Sequence, residues 1–436
     1  MNRHLHPGTR ATAVSALVVA SLSLSACSGG SASHSPSSSP STAAARGPIT
    51  LATGKDTSGN LEKLVDGWNA KHPKETVTIN ELPAAADGQL QQLVQNAQVQ
   101  SDAYSVLALD ITWTSEFAAN RWIDKIPTGI IPANTFPSAI DSATYRGTTY
   151  AIPWQSNGGL LFYRSDLLRK AGISNAPTTW TEMQADCAKV LALPDTEGAS
   201  CYAGQFDKYE GLVVNFAEAV QSADGELFDK DGKPTVNTAE SKSALTWLVD
   251  RFKDKTIPAK SRTYQEENGR KEFQDGKLVF LRQWPYVWDL ANKTDGSSKV
   301  AGKFDVAPLP GKNGPGSSTL GGLNLAVSSF TKNKATALDF ITYLASPETQ
   351  RANLLATSQA PTLTSLYDDP ELQKKFPYLP ALKESINQSV PRPKVVRYGD
   401  VSSAIQEAVY PVIAGQAAPE EALSSLQKKL EQITTP

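Results

Sequence analysis

The chain is 436 residues long, 40% hydrophobic and 20% charged, with a formal net charge of −2. Its 42 basic and 44 acidic residues are interspersed, so no basic block of the kind that binds nucleic acid is present. The four histidines are His4, His6, His34 and His72, and only His72 falls outside the terminal segments, which nearly excludes histidine-based nucleophilic or zinc chemistry.

In chain order, the first feature is an export signal. Arg3 and Arg10 precede an uncharged apolar stretch at residues 11–26 that ends in Leu24-Ser25-Ala26-Cys27. The stretch is shorter than the roughly 20 residues of a comfortable membrane span. Small residues before a cysteine suit cleavage and diacylglyceryl attachment at Cys27, so residues 1–26 read as a lipoprotein signal peptide. An ordinary cleaved signal with an incidental cysteine is the alternative, and both readings predict export. Residues 27–47 are almost wholly Ser, Ala, Gly and Pro, a composition that behaves as a flexible spacer. Losing residues 1–26 removes two arginines and no acid, which takes the formal charge from −2 to −4.

Residues 48–436 are about twice the size of a usual domain, so two lobes are expected. The pattern predicts a strand at 49–52 and a helix at 60–70, with Leu61, Leu64, Val65 and Trp68 on one face, stopping at His72-Pro73. His72 reads as a surface residue there. A strand at 77–82, a Gln-rich helix at 88–100 and an apolar strand at 104–109 follow. This alternation predicts an α/β lobe with a mainly parallel sheet, whose ligands sit beyond the carboxyl ends of strands, where Asp110 stands.

Residues 150–163 join a proline-punctuated turn to an apolar strand and read as a crossing between lobes. Helices are predicted at 180–193, 210–221 and 238–252, the first opened by Pro177-Thr178-Thr179 with Glu182 in its first turn. A strand at 278–281 runs into Arg282-Gln283-Trp284-Pro285-Tyr286. A second crossing is read at 306–322 and a helix at 334–345. Cys187 and Cys201 are expected to close a short disulfide loop, two separate buried thiols being the alternative.

Aromatic and polar residues cluster at 110–122, 150–163 and 284–288. A sugar offers apolar C–H faces and a rim of hydroxyls, so its site needs aromatic faces together with carboxylate, amide or arginine groups. Trp68, Trp122, Trp180 and Trp247 are assigned to packing, and Trp284 is a cleft candidate.

Several longer stretches carry a resemblance: Ala108-Leu109-Asp110-Ile111-Thr112-Trp113, residues 152–167, Phe273-Gln274-Asp275-Gly276-Lys277 leading into Trp284-Pro285-Tyr286, Gly321-Gly322-Leu323-Asn324-Leu325-Ala326-Val327, and Leu344-Ala345-Ser346-Pro347-Glu348. With their order and spacing they resemble the extracellular solute-binding lipoproteins of carbohydrate ABC importers. Within that family, residues 109–117, Glu210-Gly211-Leu212-Val213-Val214 and residues 321–327 are similar to actinobacterial trehalose-binding and trehalose/maltose-binding proteins. The resemblance implies a two-lobe, periplasmic-binding-protein-like α/β fold with hinge crossings and an inter-lobe cleft. Lobe 1 would take 48–150 plus about 307–360, and lobe 2 would take 151–306 plus about 361–436.

It also implies site roles. Asp110 would accept sugar hydroxyls and Asn157 would face it with an amide. Trp284 would stack on the sugar, with Tyr286 as a neighbouring wall. Gly322, followed by Leu323, would allow close backbone approach, and Arg392 in Pro391-Arg392-Pro393 would donate a planar fork to hydroxyls. Asp56 and Glu210 complete the set. The plain structural alternatives are a helix-capping Asp110 and a surface Arg392. The implied protein is a monomer lipid-anchored to the outer face of the cell membrane, and it passes an α-glucoside disaccharide to permease subunits. It needs no catalysis, cofactor, metal or nucleic acid. The Gln-rich helix lacks an arginine that some relatives carry, which leaves trehalose and maltose both open. A peptide or polyamine binder, or a glycoside hydrolase using Asp110 and Glu210, are the rival classes.

Overall fold

The computed structural model describes residues 45–435; the signal segment, Cys27 and the spacer up to residue 44 lie outside the described residues. Among the described residues no helix is long and apolar enough to cross a membrane.

The first lobe is built on a five-stranded sheet. Its leading elements are β1 (Ile49–Thr53), α1 (Asn60–Lys71), β2 (Val77–Glu81), α2 (Ala86–Gln98) and β3 (Val106–Asp110). β1 pairs in parallel with β2 and β3, and the buried strands read as near-continuous apolar runs because helices cover both faces. Leu61, Val65 and Trp68 of α1 pack on one face, while Leu93 and Ala97 of α2 pack on the other. The Trp68 ring stacks on His72 at a centroid distance of 3.9 Å, so His72 is a half-buried closing residue of α1 and not a free surface group.

The chain enters the second lobe after β4 (Ile152–Asn157) and turns at Gly158-Gly159 into β5 (Leu160–Tyr163). There follow α3 (Trp180–Leu191), β6 (Ser200–Ala203), α4 (Glu210–Gln221), α5 (Ala239–Lys253), β7 (Leu278–Gln283) and β8 (Asp305–Ala307). Thr179 and Glu182 form the reciprocal capping box that starts α3. The strand order of this sheet is β8-β5-β7-β6. Cys187 of α3 and Cys201 of β6 are bonded, with Cα atoms 5.5 Å apart. The stacked pair of Trp180 and Trp247, 4.4 Å apart, ties α3 to α5.

A second crossing returns the chain to the first sheet as β9 (Gly321–Val327), followed by α6 (Lys334–Ala345). A third leads to α7 (Tyr398–Ile413) and α8 (Pro419–Thr434), which pack with α4 and α5. The first sheet therefore has the order β2-β1-β3-β9-β4, with β9 antiparallel to both neighbours.

The first sheet is mainly parallel as expected, with four strands running one way and only β9, which arrives from the other lobe, reversed between β3 and β4. One expectation is corrected. The expected lobe boundary at residue 151 moves past Asn157, since β4 is hydrogen-bonded to β9 in the first sheet. Ile152-Pro153-Trp154, with its proline, looks like part of a crossing, yet all but the last residue of β4 are buried.

The crossings lie side by side. The Leu320 amide donates to the Val390 carbonyl (3.1 Å), and the Val390 amide donates to the Ser318 carbonyl (2.9 Å). Beneath them is a buried ion pair: Arg282 of β7 donates through Nε (2.7 Å) and Nη2 (2.5 Å) to Glu218 of α4. Glu218 Oε1 also accepts the Thr319 amide at 3.1 Å. A Cβ on Gly159 would come within 2.7 Å of both Arg282 Nη2 and Glu218 Oε1, so only glycine passes here without displacing the pair.

Candidate ligand cleft

Between the lobes lies a cleft of about 410 Å³, lined by all nine expected residues: Asp56, Asp110, Asn157, Glu210, Trp284, Tyr286, Gly322, Leu323 and Arg392. The volume is within the roughly 300–1,000 Å³ usual for small-molecule sites. Strand ends position most of these side chains. Asp110 closes β3, Asn157 closes β4, and Gly322 and Leu323 open β9. Glu210 is the first residue of α4, Trp284 follows β7, and Arg392 lies in the third crossing. Its flanking prolines restrict the backbone and hold that segment extended.

The electrostatic centre of the cleft is Arg392. Its Nη1 donates to Glu210 Oε1 at 2.5 Å, and its Nη2 donates to Asp110 Oδ1 and Oδ2 at 3.0 and 3.2 Å. One guanidinium from the third crossing thus joins a carboxylate of the first lobe to a carboxylate of the second. Burial alone would pull the Arg392 pKa down, but Asp110, Tyr398 and Glu210 outweigh it and hold the group well above its ordinary value. Burial, aided by Asp110, pushes the Glu210 carboxyl up, against the opposing pull of Arg392, Ser402 and Tyr398. Tyr398 donates to Glu210 Oε1 at 2.6 Å and Ser402 donates to Oε2.

Arg392 is 5% exposed, so it is not a surface residue; nor are its terminal nitrogens presented freely to a ligand, since carboxylates engage both. Its Nε is buried without a hydrogen-bond partner among the described residues. Asp110 serves two purposes. Oδ1 accepts from the Thr112 amide (2.9 Å) and hydroxyl (2.7 Å), which caps the turn after β3, and both oxygens accept from Arg392. Asp56 is occupied similarly, because it accepts from the Ser58 amide and hydroxyl and from the Leu61 amide at the start of α1.

Trp284 is half-buried and forms an aromatic wall. The Arg282 guanidinium covers its ring at 3.9 Å from the centroid, and its ring edge abuts Gly321. Arg282, held by Glu218, therefore fixes the indole plane. Tyr286 donates its hydroxyl to Glu267 at 2.8 Å, which leaves its ring as the available surface. Gly322 has φ +135°, and a Cβ there would lie 2.1 Å from the Gln155 carbonyl oxygen. The glycine is thus required by contact between β9 and β4, beside the register shift at Leu323 and Asn324, independently of any ligand.

The cleft is also lined by Gln89, Tyr209, Glu266 and Glu267, which sequence reasoning did not place in the site, and by Trp113 and Trp154 of the aromatic clusters at 110–122 and 150–163. Trp113 and Trp154 are largely core residues with one edge at the cleft. Tyr209 directly precedes Glu210, and adjacency to a chosen acid was the one available signal for it.

A family model described as "Bacterial extracellular solute-binding protein" matches residues 53–351. The chain belongs to that family. Among curated relatives, a "Probable ABC transporter-binding protein" of Deinococcus radiodurans is 32% identical over 399 residues, covering 88% of this chain and 94% of the relative. Among solved structures, the maltose-bound MalE3 of T. maritima superposes with a TM-score of 0.84 at 31% identity, covering 88% of this chain and 99% of that one. The GacH receptor of Streptomyces glaucescens, solved unliganded and with acarbose, shares the fold with a TM-score of 0.78 at 22% identity, covering 89% and 98% of the two chains. This solute-binding protein is the substrate-binding component of an ABC transporter, in a family of exported binding proteins.

Proposed function

We propose that this solute-binding protein captures an α-linked glucose disaccharide, trehalose or maltose, outside the cell and delivers it to permease subunits as a monomer. The observation that carries this reading is the pairing, in one cleft, of a fixed indole wall at Trp284 with the Asp110–Arg392–Glu210 triad. The wall supplies the apolar face a pyranose ring stacks on, and the triad supplies charged acceptors for its hydroxyl rim. The resemblance of residues 109–117 favours trehalose, while the maltose held by the 31%-identical relative favours maltose. Asn157, Leu323, Tyr286 and Asp56 would border the ligand. The lobes would take residues 48–157 with about 307–360, and 158–306 with about 361–436, and Cys27 would carry the lipid that tethers the protein to the membrane. Asp110 and Glu210 share one guanidinium, an arrangement suited to holding a ligand, and no reaction is assigned to them.

Titration calorimetry of the purified protein with trehalose, maltose, mannitol and a peptide mixture tests the reading. One-to-one binding of trehalose or maltose supports it, and binding of only the polyol or the peptides overturns the ligand class. Replacing Trp284 with Ala should weaken sugar binding by about 1–3 kcal/mol. The ligand-free melting temperature should stay nearly unchanged, because the indole lies at the cleft and not in the core.

A further inference from the structure

Helix α4 begins without a cap of its own. Its preceding residue, Tyr209, is extended at φ −159° and ψ −176° and makes no side-chain capping hydrogen bond. The first helical amide, that of Glu210, is one of the donors that no intrahelical carbonyl can satisfy. Its partner comes from the other lobe: Asp87, in the first turn of α2, accepts it at Oδ2 at 2.9 Å. The other oxygen of Asp87 accepts from Gln406 Nε2 of α7 at 2.9 Å. α2 is packed by Leu93 and Ala97 into the first-lobe core, whereas α4 and α7 are packed into the second-lobe core through Leu212, Val213, Val401 and Ile405. Both oxygens of one first-lobe carboxylate are therefore bonded to the second lobe.

From this geometry we infer that Asp87 is a closure latch, an N-cap supplied in trans to α4 that forms when the lobes meet and dissolves when they part. It is a positioning residue, acting through Glu210. While Asp87 holds the Glu210 amide, Arg392, Tyr398 and Ser402 hold the Glu210 carboxylate in the cleft. The latch stabilises the closed form by a carboxylate at a helix N-terminus, where the helix dipole favours negative charge. When the lobes part, Asp87 and the Glu210 amide both return to water, so the contact adds to the affinity for a ligand that requires closure without touching it. Asp87 is solvent-exposed on its outer side, so its contribution is modest and screened by salt.

The inference rests on the reading that the lobes close over a ligand, and its test has an arm independent of any ligand. In the full chain, Asp87→Ala and Asp87→Asn are compared with the unchanged protein by hydrogen exchange of the amides at 209–214 and by the affinity and release rate of maltose and trehalose. The Ala variant should exchange the Glu210 amide about 5-fold faster and bind the sugar about 5-fold more weakly, through faster release, at low salt. The Asn variant, which keeps an acceptor but no charge, should fall between, and the differences should shrink at high salt. Unchanged exchange at 209–214 in the Ala variant overturns the latch. If no sugar binds even the unchanged protein, the ligand assignment fails while the exchange arm still decides on Asp87.

Discussion

At the scale of single residues, Arg392 shows how partners decide a role. A guanidinium suits the triad because its planar fork reaches two carboxylates at once, which an ammonium cannot match. The residue type and its flanking prolines are visible in the sequence, and so are Asp110 and Glu210. What is not visible is that these three bond to one another across 282 and 182 positions, which turns an expected donor to hydroxyls into the connector of two acids. A different kind of prediction attaches to Glu116 in the helix at Thr114–Ala119, whose carboxyl is pushed up to about 7, first by burial and then by the charge of Asp400. An acid whose folded pKa lies above its unfolded value adds stability below about pH 4.5 and loses it as the pH rises toward 7. Glu116→Gln should therefore match the unchanged protein near pH 4.5 and be the more stable of the two at pH 8. Thermal melts at both pH values measure this, and a gap that shrinks with rising pH would refute it.

At the scale of elements, helices and buried strands were legible wherever local signals agreed. The capping box at Thr179 and the apolar face of α1 locate their helices to within a few residues, because periodicity and capping are properties of contiguous sequence. β4 was misassigned for the converse reason. Its proline suggests a linker, and only pairing with β9 makes it a sheet strand. The disulfide between α3 and β6 joins cysteines 14 positions apart. Replacing both cysteines by Ala should lower the unfolding free energy by about 3 kcal/mol, on the loop-entropy account, with sugar affinity preserved, since neither cysteine reaches the cleft. Urea unfolding with and without reductant measures the loss, and an unchanged midpoint would mean the bond contributes nothing.

At the scale of the whole molecule, the crossings between the lobes lie over the buried Arg282–Glu218 ion pair. Glu218 and Arg282 brace the crossings from below, and Arg282 also backs the Trp284 ring, so the hinge and the cleft wall share a support. Gly159→Ala should press a methyl group onto that pair and destabilise the protein by about 1–3 kcal/mol, as overpacking does. Chemical denaturation reads the cost, and a neutral outcome would show that the crossings yield freely.

The amino-acid sequence by itself determined the alternation of strands and helices, the cysteine pair available for bonding, the scarcity of histidine and nine of the residues that line the cleft. These depend on residue type and local periodicity, and on long ordered motifs that place a chain in its family. The tertiary structure decided which lobe owns β4, why Gly322 must be glycine, and which groups Arg392 and Asp87 bond. Those outcomes depend on how distant segments come together across the crossings, where partners are chosen by proximity in space and not by spacing along the chain.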